Sequence, residues 1–188
     1  EYQNINYGMT LSEFKVIFYW EYVHRLLARL VGLFSLIPLI IFSLKFKNSN
    51  YYSNKYYLIF FLVCLQGFIG WYMVSSGLIE NNDVSHFRLS VHLSLALLIL
   101  SLTFWFILGI FKVNKFYEKI PNLLLLFILV LIAIQIILGA FLSGLDGGLI
   151  YNSWPDMNGS FFPNDIKFND VINSQLLSNP SIVQFLHR

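Results

Sequence analysis

Trp20-Glu21-Tyr22-Val23-His24-Arg25 opens an apolar run over residues 26–44 and carries the chain's most distinctive chemistry. Glu21 and His24 are three apart, so on a helix they share a face. Below His24 that face continues through Ala28 and Gly32, both small, while Arg25 and Arg29 lie on the neighbouring face. A basic ligand, an acid one turn above it and a strip without bulk below would admit a large, flat cofactor edge-on. Ionisable groups at the edge of a membrane span are functional candidates by default. His92 repeats the pattern, with Arg88 four residues before it and Ala96 four after it. Two histidines on facing helices suit axial ligation of a haem iron. Arg25, Arg29 and Arg88 have the forked donors that bind carboxylates such as propionates. The competing reading makes each histidine a hydrogen-bonded interfacial residue. For Glu21 the alternatives are a proton acceptor beside an iron ligand or a four-residue ion pair with Arg25. Zinc or copper would need a denser donor set than these scattered imidazoles provide.

The elements that must position these groups are membrane spans. Of the 188 residues 57% are hydrophobic and 12% charged, about half the charged share of a soluble domain. The formal net charge of +2 and the lack of a basic run argue against a nucleic-acid partner. A single cysteine, Cys64, excludes an internal disulfide and reads as a small core hydrophobe. Apolar runs predict spans over roughly 22–44, 56–79, 87–111 and 121–143, each about the 20 residues needed to cross hydrocarbon. The fold class is therefore all-α, a multi-pass transmembrane helical bundle with about four complete spans.

Residues 1–20 read as a polar, aromatic-rich loop, with Ser12 as a helix cap before Glu13. Pro38 should kink the first span or be compensated by its neighbours. Gly67 and Gly70 suit close packing between helices, and His86 falls on a solvated loop. After Gly144 the character changes to a long polar loop, 151–179, rich in aromatics and suited to lie on the membrane or cap a site. A division into 1–143, a haem-binding bundle, and 144–188, the loop and the start of a truncated helix, follows. The chain lacks an initiator methionine and stops at His187-Arg188, on what reads as the first turn of another helix, so a piece of a longer protein is expected. Two faint echoes suggest repeated halves: Gln66-x-x-Ile69-Gly70 with Gln135-x-x-Leu138-Gly139, and residues 21–25 with Gln184-Phe185-Leu186-His187-Arg188.

The motifs in order resemble the haem A synthase family in its cysteine-poor proteobacterial and mitochondrial form. They include Gly8-Met9-Thr10-Leu11-Ser12-Glu13, Trp20-Glu21-Tyr22-Val23-His24-Arg25, Gln66-Gly67-Phe68-Ile69-Gly70-Trp71 and Arg88-Leu89-Ser90-Val91-His92-Leu93. Gly144-Leu145-Asp146-Gly147-Gly148, Tyr151-Asn152-Ser153-Trp154-Pro155-Asp156-Met157 and Gln184-Phe185-Leu186-His187-Arg188 continue the likeness to the end. The resemblance implies an eight-helix membrane protein of two similar halves that oxidises the C8 methyl of haem O to a formyl, giving haem A for cytochrome c oxidase. It implies that His24 and His92 ligate the substrate haem, that Glu21 is the catalytic carboxylate, and that His187 ligates a haem b cofactor. The implied setting is the bacterial plasma membrane or the mitochondrial inner membrane. The implied partners are the lipid bilayer, haem O synthase and cytochrome oxidase assembly factors, and a homo-oligomer is compatible. The alternative is a b-type haem electron-transfer membrane protein, which also pairs histidines but has no task for a general base.

Sidedness follows from lysine placement. Lys45, Lys47 and Lys55 flank the first connection, and Lys112, Lys115 and Lys119 the third. The long loop carries Lys167 among Asp156, Asp165 and Asp170. Thiol reagents should therefore reach Asn48→Cys and Asn158→Cys from opposite faces of the membrane; labelling of both from one face would contradict the topology.

Overall fold

The computed structural model describes residues 8–45, 50–75, 84–111, 121–166 and 176–188. The connections between the spans lie largely outside these residues, as does most of the N-terminal loop. Five α-helices are present among the described residues, with no strand: α1 Leu11–Lys45, α2 Asn50–Ser75, α3 His86–Ile110, α4 Asn122–Gly144 and α5 Pro180–His187. The first four supply segments long and apolar enough to cross a membrane, as expected. Large apolar side chains stand exposed along all four. Hydrocarbon, unlike water, imposes no cost for that exposure, and a helix satisfies its own backbone there. Cys64 is one of the exposed side chains, not the buried hydrophobe expected.

The helix α1 begins about a dozen residues before the predicted span. Its cap is Thr10, where Ser12 was expected: the Thr10 hydroxyl and backbone N–H both donate to Glu13 Oε2, at 2.7 and 2.8 Å, and the Glu13 N–H returns to Thr10 Oγ1 at 3.3 Å. This reciprocal pairing over a Thr-x-x-Glu spacing is a capping box. Phe14, Phe18 and Tyr22 stack at four-residue intervals along the added turns.

The chain divides into two compact units, Glu1–Trp71 with Leu98–Lys112, and Tyr72–Leu97 with Val113–Arg188. Within the first, α1 runs through Pro38 without interruption. The proline has no N–H for the Phe34 carbonyl, and the Tyr56 hydroxyl of α2 donates to the adjacent Ser35 carbonyl at 2.6 Å. Tyr57 meets Ser43 at 2.8 Å, and the Phe42 and Tyr56 rings lie 5.5 Å apart. Gly67 does not mark a close helix contact, since a Cβ there would meet open space.

The second unit holds the chain's buried core: Ala140, Phe141, Tyr151, Met157, Ile182 and Val183. The start of α3 packs on the end of α4. His86 and Phe87 rest on Phe141, with ring centroids 5.6 and 5.2 Å away. The segment after α4 folds back onto α5. Asn158 and Gly159 both have positive φ, the Asn-Gly pair favoured in a tight hairpin turn, and Met157 N–H donates to the Ser160 carbonyl at 2.6 Å. Asn179 caps α5 by accepting from the Ser181 and Ile182 N–H groups. From α5, the Gln184 amide accepts from Tyr151 N–H at 3.1 Å and donates to the Tyr151 carbonyl at 2.9 Å. Arg188 donates to the carbonyls of Tyr151, Ser153 and Asp156 at 2.8–3.0 Å. The long loop is thus a fastened cap over α5 in its described part.

Asp165 completes the fastening, accepting from Ser181 Oγ at 2.6 Å and from the Tyr151 hydroxyl at 2.5 Å. These bonds, Ser181's first, hold the Asp165 carboxyl below its ordinary value. The Tyr151 phenol is pushed up, chiefly by donating to Asp165 and then by burial. A depressed carboxyl contributes stability that is present above its unfolded value, about 3.9, and is lost as pH falls through the lower folded value. A raised phenol contributes below about pH 10 and stops doing so as pH rises through the higher folded value. Amide protection factors in residues 145–166, that is exchange relative to the unstructured rate at the same pH, should stay high from pH 5 to 9 and fall below pH 4. Asp165→Asn should loosen the segment already at pH 7 and blunt the acid response. An unchanged acid profile in that variant would contradict this fastening.

Candidate haem-binding site

The geometry of α1 supports the face read from spacing. Glu21, His24, Arg25 and Arg29 are all helical and all exposed. A Cβ at Gly32, two turns below His24, would meet nothing within 4 Å, so the strip beneath the imidazole is open. Glu21 is ion-paired with Arg25 at 2.7 Å, both side chains about half exposed (56% and 53%). The bland alternative for Glu21 is therefore realised. Such an exposed pair stabilises a protein by about 0–1 kcal/mol, so it orders the carboxylate without committing it.

In the second unit, His92 is half-buried on α3. Arg88, one turn before it, donates from Nη1 to the Tyr72 carbonyl at 3.0 Å and stacks over the Tyr72 ring at 3.9 Å. A guanidinium has five N–H donors, which leaves others for a carboxylate. His24 belongs to the first unit and His92 to the second.

His86 departs from the solvated loop position expected for it. It is the first residue of α3, half-buried, with its Nε2 buried and without a hydrogen-bond partner. A Cβ at Gly144 would come within 2.8 Å of His86 Cβ and 2.9 Å of its Cα, so the glycine admits α3 against the end of α4. The apolar Phe87 and Phe141 rings around the imidazole give His86 a packing role.

His187 is half-buried at the last position of α5. The helix starts at Pro180, so His187 lies about two turns in, not on the first turn as the sequence suggested. Its ring edge faces α4, where a Cβ at Gly139 would lie 3.0 Å from Cε1. Among the described residues, His187 Nδ1 is buried without a hydrogen-bond partner. His86 meets Gly144; His92 lies six residues along α3 and Gly139 five residues back along α4.

Sequence reasoning undervalued Gly139, Gln184 and Arg188. The signal for Gly139 was its recurrence in the Gln-x-x-x-Gly echo; for Gln184 and Arg188 it was their match to Glu21 and Arg25. Nothing in the sequence tied either of the last two to the backbone of residues 151–156.

The donor set fits a haem better than a closed metal site. Among the described residues, no three His, Cys, Asp or Glu side chains gather to hold a metal ion. Single imidazoles on helices, His187 with a nitrogen that has no partner among the described residues and His24 above an open small-residue strip, are the donors axial ligation requires.

Comparison with known proteins agrees with this chemistry. A family model described as cytochrome oxidase assembly protein matches residues 1–188. A protein named heme A synthase from Pelagibacter ubique (strain HTCC1062) is 78% identical over 188 residues, covering 100% of this chain and 56% of the relative. Proteins of the same name from Rickettsia bellii (strain OSU 85-389) and Wolbachia pipientis wMel are 45% and 43% identical, covering the whole of this chain and 57% and 55% of theirs. The chain thus spans about half the length of the curated relatives it matches. No solved structure matches it. With a family model matched along every residue, the chain belongs to the cytochrome oxidase assembly protein family.

Proposed function

We propose that the chain is part of a haem A synthase, a membrane oxidoreductase that converts the C8 methyl of haem O to a formyl. The observation that carries this reading is the exposed face of α1, where Glu21 and His24 stand one turn apart above the open strip at Gly32. The relatives named heme A synthase support it. His24 and His92 would hold the substrate haem, and His187 a haem b whose second ligand lies outside these residues. Arg25, Arg29 and the remaining donors of Arg88 would take the propionates. The lipid bilayer, haem O synthase and cytochrome oxidase assembly factors would be its partners, in a protein of eight helices and two halves.

When bound, the haem supplies the redox-active iron and the methyl group to be oxidised. The protein's own contribution is placement and charge. His24 would supply the imidazole that holds the substrate haem beside α1. Glu21, one turn away, would accept a proton at its carboxylate or hold negative charge beside the reacting carbon. Arg25 keeps that carboxylate in one orientation until a partner of higher claim arrives. An electron-transfer protein would use the same histidines but would give Glu21 nothing to do.

In the complete protein, Glu21→Gln should retain haem yet lower haem A formation by about 10²–10⁴-fold, the usual worth of a general base. Glutamine keeps the size and one acceptor but neither takes a proton nor carries charge. His24→Ala should instead weaken or displace the substrate haem. The readout is the ratio of haem A to haem O in membranes with matched protein levels. Wild-type haem A from Glu21→Gln would leave Glu21 only its ion pair with Arg25.

A further inference from the structure

We propose that Gly139 is a positioning residue for His187, its bare backbone forming the seat that orients the imidazole toward a haem iron; this rests on the reading that His187 is a haem ligand. A Cβ at position 139 would lie 3.0 Å from His187 Cε1, 3.6 Å from Nε2 and 3.7 Å from Nδ1. The ring therefore rests its Cε1 edge on α4, in space that any side chain at 139 would claim. At 3.0 Å the neighbour must give way, because carbon atoms in contact prefer about 3.5–4.0 Å.

Among the described residues, no hydrogen bond at Nδ1 sets the angle of this ring. A ligating histidine normally donates its second N–H to a carboxylate or carbonyl, which fixes the ring and its tautomer. His187 Nδ1 is buried with no such acceptor, which leaves Nε2 as the nitrogen to coordinate. Packing takes over the task that a hydrogen bond usually performs. The helix below the ring is itself immobilised. Ser181, Ile182, Val183 and Gln184 are buried, Asn179 caps the helix, and Gln184 and Arg188 fasten it to the backbone of residues 151–156. With α5 held, a side chain at 139 displaces the imidazole and not the helix.

The test uses the complete, haem-loaded protein and electron paramagnetic resonance of its low-spin ferric haems, with haem counted by pyridine haemochrome. Gly139→Ala suits it because alanine is the better helix former, so the variant accumulates. His187→Ala identifies the signal of the haem in question. Gly144→Ala is the packing control: it crowds the same helix against His86, with Cβ contacts of 2.8 and 2.9 Å, away from His187. Gly139→Ala should shift the g-values of the His187-dependent signal at unchanged haem content, and Gly144→Ala should leave them in place. Loss of that signal alone is the stronger form of the same result. A Gly139→Ala spectrum superimposable on the wild type, with His187→Ala still abolishing the signal, overturns the positioning role. Loss of both haems together also overturns it, since a seat for one ligand does not dismantle the other site. Should His187→Ala leave every haem signal intact, the ligand reading itself fails, and Gly139 has nothing to position.

Discussion

Hydrocarbon offers no partner to a backbone N–H or carbonyl, and each one left unsatisfied there costs several kcal/mol. The architecture follows from that constraint. Four long helices satisfy their own backbones, and where Pro38 removes a donor from α1, the Tyr56 hydroxyl reaches the neighbouring Ser35 carbonyl. The candidate side chains sit on the helices themselves: Glu21, His24 and Arg25 three to four turns into α1, His92 two turns into α3, and His187 at the end of α5. Among the described residues, the long irregular stretch lies beyond the spans, after Gly144, where side chains of α5 take up its polar groups.

The two histidine motifs use one spacing for two purposes. Three residues before His24 stands a carboxylate, and three before His187 an amide; each histidine is followed by an arginine. In the second unit both companions are consumed by structure. The Gln184 amide satisfies both backbone groups of Tyr151, and Arg188 gathers three carbonyls. In the first unit the same positions hold each other, half exposed, at 2.7 Å. That difference supports the chemistry proposed for Glu21 and gives Gln184 a structural role. A buried amide with its donors and acceptor engaged has nothing left for a substrate, whereas an exposed ion pair exchanges partners at little cost.

The spans were legible because bilayer thickness sets their length and composition alone reveals them. The all-α class follows from those span lengths, and the face shared by Glu21 and His24 from their helical spacing. The early start of α1 was not, because Glu13, Lys15 and four aromatics over residues 14–20 read as a polar, aromatic loop, and only the pairing of Thr10 with Glu13 turns them into helix. The burial of His86 was hidden too. It depends on Phe141 and Gly144, more than fifty residues away, and periodicity within one helix carries no information about its neighbour. The same holds for Gln184 and Arg188, whose partners lie more than thirty residues earlier. Long-range fastening is set by tertiary geometry, so the sequence shows the residue types without their destinations.

The central claim is that this chain contributes to an enzyme that oxidises a haem substituent, and the most direct measurement is the product itself. The complete protein, produced in cells that make haem O but no haem A, should yield membranes whose extracted pigment contains haem A, separated by chromatography and identified by the mass change from methyl to formyl. Membranes in which the protein is present and haem-loaded, yet haem O alone is recovered, would contradict the account and favour electron transfer through the same histidines.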